Sequence, residues 1–230
     1  MYWDSTYWLA LLAFIFAIVA QIMVKSTFNK YSNTHNNHGY TAYEVARKIL
    51  DSNGLYNVQI ERVNGSLTDH YDPRTNVIRL SDTVYGSDSV AAIGVAAHEV
   101  GHAIQHAQGY TPIKIRQAII PITQIGSNIA LPLVLIGAFI SFFNWLIPVG
   151  IFLYVAVVLF QAVTLPVEFN ASGRALKTLD EDVILYKDEV RQAKKVLTAA
   201  ALTYVAAMFS SLIMLLRLLL IASGGGRRRR

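Results

Sequence analysis

Residues 89–107 read SVAAIGVAAHEVGHAIQHA, and the five at their centre, His98-Glu99-Val100-Gly101-His102, decide how the rest of the chain is read. The pattern is helical from Ser89 to Ala107, with Gly109 as the stop. In a helix, residues four apart lie on one face about 6 Å up the axis, so His98 and His102 can offer their imidazoles to one metal ion. Zinc suits that donor pair. Glu99 then lies beside the metal without binding it, placed to take a proton from a water at an open position. A water whose pKa falls from about 16 to near 7 supplies hydroxide for attack on a peptide carbonyl, and the carboxylate carries the proton to the leaving amine. The motif therefore points to zinc-dependent peptide hydrolysis with one Zn2+ per chain and Glu99 as the catalytic base. The bland alternative is a pair of histidines hydrogen-bonded within a packed core. Small and apolar neighbours, Val95-Ala96-Ala97, Gly101, Ala103 and Ile104, let the helix pack closely under a sheet.

A tetrahedral catalytic site needs a third protein ligand and an open position. His106 continues the same helix roughly 6 Å beyond His102, and a straight helix cannot bring three such residues onto one ion, so it reads as a flanking polar residue. Glu168 is the expected third ligand. It falls in Leu165-Pro166-Val167-Glu168-Phe169-Asn170-Ala171-Ser172, just past an apolar run and on the same side of the bilayer as His98. A carboxylate so close to a membrane end is costly unless it faces water, a partner or a metal. The other reading makes it an interfacial charge, or a carboxylate set against the dipole of a helix that starts after Pro166.

The bilayer is implied by composition. Of 230 residues 53% are hydrophobic and 15% charged, outside the usual balance of a soluble domain. The apolar residues gather in runs long enough to cross about 30 Å of hydrocarbon, which takes roughly 20 residues. Four spans are expected, at residues 8–24, 118–143, 145–165 and 196–222. The first has no charge between Asp4 and Lys25 and lacks a basic start or a small-residue cleavage site, so it reads as an anchor rather than a signal peptide. The second and third form a tight hairpin, with kinks expected at Pro121 and Pro132. Arg217, near the end of the fourth, has a stem long enough to snorkel to the headgroups. Most of the net charge of +5 comes from Arg227 to Arg230 in a basic tail, residues 223–230, while other basic residues alternate with acidic ones. That distribution argues against a nucleic-acid partner. With no cysteine in the chain, disulfides and thiolate zinc sites are excluded.

Two polar regions remain, 25–117 and 166–195, and counting crossings puts both on one face of the membrane. In the first, Asn33 to Gly39 reads as an Asn- and His-rich loop, and Thr41-Ala42-Tyr43-Glu44 is a capping box starting a helix to about Ser52. Tyr56 to Val63, Leu67 to Tyr71 and Asn76 to Ser81, with turns at Asn64-Gly65 and Asp72-Pro73, read as a small antiparallel sheet. The expected fold is thus an α-helical membrane protein with four transmembrane helices and a small α+β zincin-like catalytic domain at the membrane surface. That domain covers 25–117 with the motif helix at 89–108, and 166–195 is a helical region bearing the third ligand.

Leu67-Thr68-Asp69-His70-Tyr71-Asp72-Pro73-Arg74, Ala97 to Gln105, Leu165 to Ser172, and Ala200-Ala201-Leu202-Thr203-Tyr204-Val205-Ala206-Ala207 together resemble the YugP-like family of bacterial membrane zinc metallopeptidases. The resemblance covers nearly the whole chain. It implies His98 and His102 as ligands, Glu99 as base, Glu168 as third ligand, and a bacterial inner membrane as the setting. More distantly the chain is similar to gluzincin membrane proteases of the HtpX and CAAX-prenyl-protease type, whose third-ligand glutamate is followed by an Ala-Asp pair. Here the pair is Ala171-Ser172, so a hydroxyl replaces the carboxylate that would orient a metal-bound histidine. Such folds pair an edge strand with the substrate backbone, and Asn76 to Ser81 is the expected strand; its alternative is an ordinary edge blunted by Arg79. Arg174, Tyr204 and His70 are the candidate oxyanion donors.

Two other functions fit parts of the pattern. An intramembrane protease would need its zinc helix to span, but this helix is interrupted by His98, Glu99 and His102 and preceded by Asp88. A non-enzymatic membrane scaffold with a structural zinc would have no use for Glu99 beside an open position. The expected substrate is a protein or peptide associated with the membrane. Lys25, Lys30, Lys114, Arg116, Lys194 and Lys195 border the membrane on the catalytic side, which the positive-inside rule assigns to the cytoplasm. The basic tail pulls the other way.

Overall fold

The structure is a computed structural model and describes residues 6–226; Asp4 and Arg227 to Arg230 lie outside them. Among the described residues the chain forms α1 (Thr6–Tyr31), α2 (Ala42–Ser52), β1 (Gln59–Val63), β2 (His70–Asp72), β3 (Val77–Ser81), α3 (Val90–Ala107), α4 (Thr111–Phe139), a short 3-10 turn at Ser141–Phe143, α5 (Leu146–Glu181) and α6 (Lys187–Gly226). Two compact units result. One takes the chain up to Val19, Lys114–Leu165 and Thr203 onward; the other takes Ala20–Ile113 and Pro166–Leu202.

The first unit is helical. It holds a part of each of the four helices that, among the described residues, are long and apolar enough to cross a membrane, Tyr7–Tyr31, Thr111–Phe139, Leu146–Glu181 and Lys187–Ser223. Their large apolar side chains turn outward, among them Trp8, Phe14, Phe139 and Phe152, the reverse of a protein built for water on all sides. Small residues let α4 and α5 approach closely: a Cβ on Gly126 would come within 2.6 Å of the Leu153 carbonyl oxygen, and one on Gly150 within 2.7 Å of that of Ala130. Arg217 places its guanidinium 4.7 Å from the Tyr7 ring centroid. Each apolar helix is longer than its hydropathic run, because the polar flanks continue the helix.

The second unit carries the motif. Its core joins Phe28 and Tyr31 of α1, Val45, Ile49 and Leu50 of α2, Ile78 and Leu80 of β3, the small-residue face of α3, Leu179 of α5 and Leu197 of α6. The helices start where the caps direct. Thr41 Oγ1 accepts from the Glu44 N–H while Glu44 accepts from the Thr41 N–H, closing the capping box, and Ser89 Oγ accepts from the Ala92 N–H at the start of α3. Gly109, at φ +65°, follows α3. Buried Glu189 accepts from the backbone and side-chain amides of Asn37 at 2.8 Å, fastening the Asn- and His-rich loop to the start of α6.

The sheet corrects the sequence reading. Its order is β1-β3-β2, with β1 parallel and β2 antiparallel to β3, so it is mixed rather than antiparallel. The strand at Asn76 to Ser81, expected at the edge, is central. Val77, Ile78, Leu80 and Ser81 of β3 are all buried, as a strand with neighbours on both sides requires. The turn signal at Asn64-Gly65 does not close a hairpin: Asp82, at the end of β3, accepts from the Gly65 N–H at 3.1 Å and pairs with Arg62 at 2.6 Å. Asp69 accepts from the Ser81 N–H at 2.7 Å and from its hydroxyl at 3.0 Å. The link from β1 to β2 is thus tied to the end of β3, and β3 enters between the other two.

Candidate metal centre

Helix α3 meets α5 at contact distance because Gly101 has no side chain. A Cβ there would fall 2.7 Å from the Ala171 carbonyl oxygen. Two turns earlier on α3, a Cβ on Gly94 would sit 3.3 Å from that of Ala193 in α6. Helix α5 runs unbroken through Pro166, so Glu168 sits inside a helix and not at the start of one. This removes the reading of Glu168 as a carboxylate set against a fresh helix dipole. The close crossing turns Glu168 onto the histidine face of α3.

His98 Nε2 and His102 Nε2 are 3.2 Å apart, and Glu168 Oε2 lies 3.3 Å from the first and 3.5 Å from the second. Four ligands held tetrahedrally at the usual zinc–nitrogen and zinc–oxygen distances are separated by about 3.3 Å. The three side chains therefore present one face of a tetrahedron of the right size, with two imidazole nitrogens and one carboxylate oxygen as donors. They are the one group of that kind found among the described residues. The donor set fits zinc. Glu168 is buried at 2% exposure, which a carboxylate tolerates when cationic or polar partners surround it.

Glu99 is also buried, and its charge reaches His102 and Asp69. Burial works against a charged His102, but the carboxylates of Glu168 and Glu99 outweigh it and raise its pKa. Burial likewise raises the pKa of Asp69, against the hydrogen bonds from Ser81 and with the charge of Glu99 adding to it. His106 does not join the three. Its ring faces Tyr71, with centroids 6.0 Å apart.

The other expected participants are distributed unevenly. Ser172 Oγ lies 3.1 Å from His98 Nδ1. Arg174 is engaged away from the metal face, donating through Nε to Asn170 Oδ1 and through Nη1 to Gln108 Oε1, both at 2.7 Å. His70 is exposed, and its Nδ1 lies 2.9 Å from the Thr68 carbonyl. Tyr204 belongs to the portion of α6 in the helical unit. Sequence reasoning passed over Gln105, a fully buried amide that contacts His102 Nδ1 at 3.1 Å and α5 at two points. Its position three residues after His102, on a buried face, was the available signal. It also passed over Asp69, whose carboxylate is legible only once β3 is known to end beside it.

The chain is 50% identical over 188 residues to the "Putative membrane protease YugP" of Bacillus subtilis (strain 168), an alignment covering 82% of this chain and 83% of that protein. No solved structure matches. The profile of the family described as "Putative neutral zinc metallopeptidase" matches residues 6–223, from the start of α1 almost to the end of α6, and it is to this family that the chain belongs.

Proposed function

We propose that this protein is a membrane-anchored zinc metalloendopeptidase in which His98, His102 and Glu168 hold a single zinc ion and Glu99 is the general base. The observation that carries the reading is the triangle of Nε2, Nε2 and Oε2 atoms with sides of 3.2, 3.3 and 3.5 Å, beside which α3 also sets Glu99. When bound, zinc supplies Lewis acidity, bringing a water's pKa from about 16 to near 7 and polarising the scissile carbonyl. The chain's own groups do the rest. Glu99, one residue along the helix from His98 and not a member of the ligand set, takes the proton of the attacking water and passes it to the leaving amine. Ser172 and Gln105 hold the two imidazoles from behind. With β3 buried in the sheet centre, β2 is the sheet edge packed against α3, and its open side offers backbone groups to an extended peptide.

Location follows from length. Leu146 to Glu168 covers about 33 Å of α5 at 1.5 Å per residue, slightly more than a hydrocarbon core. Glu168 therefore emerges at an interface. Helix α3 is not among the four apolar enough to span, which favours a surface site over one within the bilayer. The basic residues Lys25, Lys30, Lys114, Arg116, Lys194 and Lys195 support, by the positive-inside rule, a cytoplasmic face for that interface, and the likeness to a bacterial membrane protease supports a bacterial inner membrane as the setting.

The test is Glu99→Gln in the full-length protein, assayed for zinc content and for hydrolysis of an unfolded protein substrate. Zinc should be retained while hydrolysis falls by at least about 100-fold, the smaller end of what a general base supplies. Unchanged hydrolysis sinks the enzyme reading. Retained zinc with no hydrolysis by either protein would favour a structural metal.

A further inference from the structure

Gln105 is fully buried, and all of its side-chain amide is used. Its Nε2 donates to the Val167 carbonyl at 2.8 Å and to Asn170 Oδ1 at 2.9 Å, and its Oε1 lies 3.1 Å from His102 Nδ1. We propose that Gln105 is a positioning residue that fixes the tautomer of His102, holding the proton on Nδ1 and the Nε2 lone pair toward the metal. It also ties that histidine to the Val167 carbonyl and the Asn170 side chain, which flank Glu168 on α5. The proposal rests on the reading of His98, His102 and Glu168 as zinc ligands.

Hydrogen-bond polarity fixes the orientation of the Gln105 amide. An amide beside an imidazole is ordinarily ambiguous, because oxygen and nitrogen can exchange places and the imidazole can move its proton to match. Here the ambiguity is removed from outside. Arg174 has only donors, so the Asn170 atom it contacts at 2.7 Å through Nε is an acceptor. The Val167 carbonyl is an acceptor by nature. Gln105 therefore directs its NH2 group at both of them and its oxygen at His102. That oxygen can only accept, so in the neutral imidazole His102 Nδ1 carries the proton and Nε2 does not.

His98 has no such lock. Its Nδ1 faces the hydroxyl of Ser172, which serves as donor or acceptor and rotates to suit. The two ligands from one helix are thus held differently, one by a fixed amide and one by an adaptable hydroxyl. Gln105 also clamps geometry as well as tautomer. Val167 and Asn170 flank Glu168 on α5, so the amide that orients one ligand also registers the helix that delivers another.

The experiment uses the full-length protein in detergent, stripped of metal and labelled with 15N at histidine. Long-range proton–nitrogen spectra at mildly alkaline pH report which nitrogen of a neutral imidazole bears the proton, with His102 assigned by comparison with His102→Gln. Wild type should show His102 protonated on Nδ1. Asn170→Asp should do the same, because an aspartate still accepts from both Arg174 and Gln105. Gln105→Met fills a similar volume with no amide. It should lose the Nδ1 preference and bind zinc about 10–100-fold more weakly in chelator competition. A role in packing alone would leave both readouts of Gln105→Met unchanged, and that result overturns the proposal, as does wild-type His102 protonated on Nε2. Should Gln105→Met not fold, Gln105→Asn, which draws the amide back by one methylene, takes its place with the same two outcomes. The tautomer is read without metal, so its failure is separable from failure of the zinc reading, which would appear as zinc affinity unaffected by His102→Gln.

Discussion

Asp69 immediately precedes the short strand β2 and Asp72 is its last residue, and their carboxyls are held in opposite ways. Asp72 accepts the Arg74 N–H and the Thr75 hydroxyl, and these bonds, the Arg74 N–H foremost, hold its pKa down to about 2. Its folded-state pKa is below the ordinary value of 3.8, so the stability it contributes is fully present above pH 3.8 and disappears as pH falls through about 2. Thermal midpoints of wild type and Asp72→Asn should therefore converge over that window; a constant gap from pH 5 to pH 2 would contradict the assignment. Burial pushes Asp69 the other way, so its contribution is largest at low pH and lost as pH rises through the raised value. At this scale the sequence was most legible where chemistry restricts residue type. Two histidines four apart, the intervening glutamate and a carboxylate stranded near a membrane end admit few roles. Gln105 and Asp69 were not legible, because amides and aspartates occur everywhere and only their neighbours give them meaning.

The crossing of α3 and α5 depends on one missing methyl. Gly101→Ala would place a Cβ against the Ala171 carbonyl at 2.7 Å, with backbone on both sides and no flexible side chain to yield. The helices must separate, at a cost of about 1–3 kcal/mol, and Glu168 must retreat with α5. We expect a lower thermal midpoint together with zinc affinity reduced at least about tenfold. Gly173→Ala is the control. It lies in the same helix as Glu168, meets nothing within 4 Å, and should leave zinc affinity unchanged. Equal behaviour of the two variants would show that the crossing does not set the site. Element existence was readable from periodicity and caps, as Thr41, Glu44 and Ser89 illustrate. Strand order was not, since the Asn64-Gly65 signal is local and the pairing of β1 with β3 is not. The apolar run Val77-Ile78-Arg79-Leu80 against Gln59-Ile60-Glu61-Arg62 was the clue that β3, and not β1, lies in the middle.

Four apolar helices and a polar unit assign different jobs to different parts of one chain, and helix lengths carry one into the other. Hydropathy marked the four apolar helices but misjudged their ends: α1 continues to Tyr31, α4 stops at Phe139, short of the expected 143, α5 passes Pro166 to Glu181, and α6 begins at Lys187. Backbone hydrogen bonding continues past the apolar boundary, and a transfer scale does not register that. Orientation can be tested cleanly, since the chain has no cysteine of its own. In intact cells an impermeant maleimide should label Ser141→Cys, in the α4–α5 connection, and reach Asn33→Cys, in the loop after α1, only after lysis. The reverse pattern would put the metal face outside. The account stands or falls on where the zinc is. Anomalous diffraction at the zinc edge from the purified full-length protein should show one zinc per chain, bonded by His98 Nε2, His102 Nε2 and a Glu168 carboxylate oxygen. Zinc bound elsewhere, or at the two histidines with Glu168 turned away, would contradict it.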